Sequence, residues 1–128
     1  MDKRNEEIVK RFQHSWDKVE KHYEHILQHN GWEYLIQLTK AIEYWREIGL
    51  DKVFRAGNSI HYLILSRSVE HGLRGDQKRI LIIPNSDGTY EINFFEETKK
   101  YKELKTNQLL GNRELERLLK ILESVLVD

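Results

Sequence analysis

The densest run of chemically capable side chains lies between positions 55 and 71: Arg55, Asn58, Ser59, His61, Ser66, Arg67, Ser68 and His71. Guanidiniums offer forked donors that match phosphate or carboxylate oxygens. Hydroxyls and an amide add neutral donors, and histidine titrates close enough to neutrality to serve as a general base. Gly57 frees the backbone in their midst. One reading is a small enzyme or an anion- or phosphate-ligand binder, with His61 or His71 as base and Arg55 or Arg67 holding the anionic group. The other is structural: Ser59 caps a helix, Arg67 is a paired surface charge, and His61 is a partly buried ring. The structural reading carries the greater weight.

Three further groups have spacings with chemical meaning. His22, His25 and His29 fall on one flank of a helix, and a metal there needs a ligand from a second element. Lys18 and Lys21 repel a cation, and Glu43 and Glu47 form no pattern that completes a shell, so no metal and no cofactor are expected. Lys99, Lys100, Lys102 and Lys105 can meet a nucleic-acid backbone while Tyr101 stacks on a base. Glu96, Glu97 and Glu103 lie among them and cancel the field, so nucleic acid is not expected as a partner. The chain has no glycine-rich phosphate loop, nucleophile elbow, H-E-x-x-H or EF-hand pattern.

The Arg55-x5-His61 spacing is similar to the arginine–histidine window of HEPN-type ribonucleases. That resemblance implies an all-helical fold, whereas a β-hairpin is expected here. Ala56 also stands where a polar residue often follows the Arg, and the chain is not assigned to that family.

Aromatic residues point elsewhere. Trp32, Tyr34, Tyr44 and Trp45 exceed what one helix face needs in a core, and aromatics anchor interfaces. Trp32, Tyr34 and Tyr44 are the interface candidates. With 21 basic and 21 acidic residues there is no polyelectrolyte surface. The expected function is therefore a small non-catalytic protein-interaction module of the immunity, inhibitor or accessory-subunit type, its partner another protein or its own copy. An edge of a β-hairpin offers one route to that partner.

The positioning elements follow from periodicity. Ile8, Phe12, Trp16, Val19, Tyr23 and Ile26 form one stripe of a helix over 3–29, stopped by Asn30-Gly31. A second helix over 32–48 is apolar on two faces, one with Leu38, Ile42 and Trp45 and the other with Tyr44 and Ile48. The short break predicts that the two helices pair antiparallel, with Trp16 and Trp45 in the core. Residues 79–95 read as a β-hairpin around Asn85-Ser-Asp-Gly88, in the register that sets Ile82 opposite Ile92 and Ile80 opposite Phe94. Segment 59–71 is undecided between helix and strand, because a run as short as Ile60–Leu65 suits either. Glu96–Gly111 reads as an irregular connection, and 112–127 as a helix capped by Asn112.

The expected fold is α+β: an N-terminal antiparallel helix pair, a small central antiparallel sheet built on the hairpin, and a C-terminal helix. At 128 residues, 1–128 is expected to be a single domain. No cysteine is present, so no disulfide framework exists. The first twenty residues hold no apolar signal core and no run approaches a membrane span, so no membrane association and a cytoplasmic location are expected.

Overall fold

The computed structural model describes residues 3–69, 77–125 and 127. Helix α1 (Lys3–Ile26) is followed by a 3-10 turn at Glu33–Leu35, helix α2 (Ile36–Glu47) and a second 3-10 turn at Leu50–Lys52. Five strands follow: β1 (Arg55–Ser59), β2 (Tyr62–Ser66), β3 (Arg79–Pro84), β4 (Tyr90–Glu96) and β5 (Lys99–Thr106). Helix α3 (Arg113–Glu123) comes last. The strands form one antiparallel sheet in the order β1-β2-β3-β4-β5. The architecture is α+β, as expected.

Within β3 and β4, Ile82 faces Ile92 and Ile80 faces Phe94, the register read from the sequence. The turn between them closes with Asn85 N–H donating to the Thr89 carbonyl at 2.8 Å and Gly88 N–H to that of Asn85 at 3.1 Å. Gly88 sits at φ 88°, which a side chain would strain.

Within the undecided segment, the described residues form a turn and a strand and no helix; positions 70 and 71 lie outside the described residues. Ser59 ends β1, Ile60-His61 makes the turn, and Tyr62–Ser66 is β2. Leu63 and Leu65 settle it, because in that register they oppose Ile82 and Ile80 and extend one apolar face across three strands. Ile60 turns the corner at φ 58°, an uncommon conformation for a β-branched residue.

Glu96–Gly111 is not simply an irregular connection: half of it is β5. Only Leu104, opposite Ile92, continues the apolar face there; the rest of the strand is mostly polar and exposed, with Tyr101 lying edge-on 6.2 Å from Phe94. An edge strand needs a neighbour's free backbone groups more than a core of its own. Its lysines discourage further strand addition. Both strands of the 79–95 hairpin are interior, so the hairpin has no edge to offer a partner.

The other edge is covered by α1. Ser15 Oγ accepts from Ala56 N–H at 3.0 Å and Trp16 Nε1 donates to the Phe54 carbonyl at 2.8 Å. Tyr23 Oη donates to the His61 carbonyl at 2.9 Å. Burial on one sheet face joins Ala56, Leu65, Ile80, Ile82, Ile92 and Phe94 to Trp16, Leu38, Trp45 and Leu122 in a single core cluster. The helices therefore pack on that face. Arg46 of α2 reaches back to Asp17 and Glu20 of α1, at 2.8 Å each, and to Asp51 at 3.1 Å. Among the described residues no helix is long and apolar enough to cross a membrane.

Candidate functional site

Strand geometry divides the residues between 55 and 71 among separate places. Arg55 and Ser66 are paired at one end of the β1–β2 hairpin, while Ser59 and Tyr62 are paired at the other. Four residues of strand put those ends about 13 Å apart. Side chains of successive strand residues point to opposite faces, so Arg55 and Ser66 lie away from the helices, while Asn58, opposite Leu63, lies on the helix side. Arg67 Nε donates to the Val125 carbonyl at 2.8 Å and Nη1 to that of Val53 at 2.7 Å. Burial draws its pKa down, with the Glu123 charge opposing the shift. Its role is to tie the C-terminal end of the chain to the start of the sheet. Asn58 is half-buried within β1, Ser59 is exposed, and His71 lies outside the described residues. Among the described residues, the seven others are divided between the two ends of this hairpin.

Arg55, Ser66 and Ser68 stay together at one end of the hairpin, and Gln77, which carried no sequence signal, is buried just before β3. Arg55 Nη1 donates to the Val69 carbonyl at 2.5 Å, and Ser66 and Ser68 are buried. Arg55 Nε and both amide atoms of Gln77 are buried without a partner. Burial, and after it the Arg11 charge, draws the Arg55 pKa down. These three atoms are shut from solvent. Burying an unpaired amide costs roughly 1–3 kcal/mol, and Gln77→Met removes it at similar volume. A urea melt of that variant is expected to show a gain of about 1 kcal/mol. A comparable loss would mean that the amide has found a partner in solution.

The turn between β1 and β2 belongs to an aromatic cluster. His61 lies 5.4 Å from the Trp32 ring and 4.8 Å from that of Tyr62, and Trp32 lies 5.8 Å from Tyr34. Burial lowers the His61 pKa, and Nδ1 is buried without a partner. Burial first and the Tyr62 charge second raise the Tyr34 pKa. The imidazole packs among these rings at the corner. Trp32 and Tyr34, both half-buried, are largely engaged in it. His22 Nε2 bonds the Ile60 carbonyl at 2.5 Å, while His25 and His29 pack edge to face at 5.5 Å.

Tyr44 stands apart from that corner. Between α2 and α3 runs a groove of about 220 Å³. Its floor is apolar, built from Trp45, Leu50, Phe54, Leu109, Leu115 and Leu119. Tyr44 and Ile48 form the α2 lip, 46% and 54% exposed. Glu116, Lys120 and Glu123 form the α3 lip. The signal for this lip was present in the second apolar face of helix 32–48.

Family models, curated proteins and solved structures were all compared with the chain. None matches it. The reading of the groove rests on its own chemistry: an apolar floor, an apolar lip and a charged lip suit the burial of another amphipathic surface.

Proposed function

We propose that this chain is a small non-catalytic protein-interaction module, of the immunity, inhibitor or accessory-subunit kind, and that it docks through the groove between α2 and α3. The carrying observation is the pair Tyr44 and Ile48. Two large apolar side chains, one turn apart and about half exposed, flank a floor that is already apolar. Covering them removes apolar area from water, the main favourable term in association. The scattering of Arg55, His61 and Arg67 takes support from the small-enzyme and anion-binder alternative.

Capture from extracts of the source cells tests this. Wild-type protein and Ile48→Lys serve as baits, with circular dichroism confirming that the variant folds. The expected result is a bound protein, this chain included, that the wild type retains and the variant loses by about tenfold or more, as for a charge placed in a buried contact. Equal capture by the two baits overturns the groove as the docking surface.

A further inference from the structure

The α3 lip says more about what lies against it. Arg113, Glu116, Lys120 and Glu123 are all exposed and spaced by three, four and three residues, so they fall on one side of the helix. The last three line the groove. Read along α3, the charges run plus, minus, plus, minus. Reversed, they run minus, plus, minus, plus, and that is their complement. A two-fold axis level with residue 118 sets Arg113 opposite Glu123 of a second α3, and Glu116 opposite its Lys120. Each contact occurs twice, as a two-fold interface requires.

We propose that the groove's occupant is a second copy of this chain, docked antiparallel through α3, with Tyr44 and Ile48 of each copy covered by the other. This rests on the interaction reading above and adds the partner. Three observations meet in it. The alternating lip is self-complementary in one orientation only, since a parallel arrangement sets like charges together. The lip borders the most exposed apolar residues of α2. The chain also carries no net charge to hold copies apart. Lys120 and Arg113 cover apolar surface with their aliphatic stems while their charges reach the partner's carboxylates. The free edge of the sheet does not compete as a dimer contact, because β5 presents lysines along it.

Sedimentation velocity over micromolar concentrations tests the proposal with Glu116→Lys, Lys120→Glu and the double variant. Both positions are exposed, so the three variants are expected to keep the fold. The wild type is expected to dimerise, more weakly at high salt. Either single reversal sets like charges together at both symmetry-related contacts, and is expected to weaken the dimer by about tenfold or more. The double variant restores every pair and is expected to dimerise within a few-fold of wild type. A wild type that is monomeric throughout overturns the second copy, and so does a dimer indifferent to the single reversals. The broader reading is judged separately. A monomer whose captured partner is lost in Ile48→Lys keeps the groove as a docking surface, whereas a monomer with no such partner removes both.

Discussion

Replacing Trp16 by alanine is expected to cost about 4–5 kcal/mol in a urea melt, the largest single effect in this chain. Truncating a buried Trp ordinarily costs roughly 3–5 kcal/mol, from lost transfer energy and the cavity left behind. Trp16 is fully buried, and it touches both layers of the fold. Its Nε1 donates to the Phe54 carbonyl just before β1, so the truncation also strands an acceptor at the covered edge of the sheet, at about 1 kcal/mol more. Trp16→Phe separates the two contributions, because it keeps most of the ring and loses the donor. It is expected to cost about 1–2 kcal/mol. A loss below about 1 kcal/mol for Trp16→Ala would show that α1 does not seal the sheet.

Trp16 is also where sequence and structure agree best, and the reason is physical. A residue on a long stripe of period 3.6 has one way to be buried. The same holds for the β3–β4 hairpin, whose alternation and Asn85–Gly88 turn admit a single register with one apolar face. Legibility fell where either cue was missing. β5 offers only Leu104 to the core, so its strand character comes from the free edge of β4, which no local pattern records. Ile60–Leu65 is too short to show a period, and leaving it undecided had a larger consequence. Without a strand, nothing says that Arg55 and Ser66 lie on one face and Asn58 on the other. Side chains close in sequence then pass for a cluster, although the sheet divides them between two faces and two ends. Gln77 gave no signal, because its burial depends on what surrounds it. The second apolar face of α2, by contrast, was plain in Tyr44 and Ile48. Periodicity marks a face as apolar, and only the packed fold tells whether anything covers it.

Arg46→Met is expected to cost about 2–4 kcal/mol, nearly all of it through one of its three partners. Burial alone disfavours the Arg46 guanidinium, yet the hydrogen bonds to Glu20, Asp17 and Asp51 outweigh it and hold its pKa above the ordinary value. Those partners are unequal. The Asp17 and Glu20 side chains are 53% and 39% exposed, and exposed pairs of this kind contribute at most about 1 kcal/mol each. The Asp51 side chain is 8% exposed and takes its bond from Arg46 Nε at 3.1 Å. Removing one member of a buried pair leaves an uncompensated charge, which ordinarily costs roughly 3–5 kcal/mol. Arg46 is itself 23% exposed, so water reaching the site lowers that figure. Asp51 lies in the 3-10 turn that leads from α2 to β1, so the damage falls on the joint between the helices and the sheet. If the cost is the stranded carboxylate, Arg46→Met with Asp51→Asn should recover most of the stability, because the amide carries no charge to strand. The double-variant cycle reads that coupling directly, at about 1–3 kcal/mol. Additive losses in the cycle would place the whole effect of Arg46 in its grip on Asp17 and Glu20 of α1.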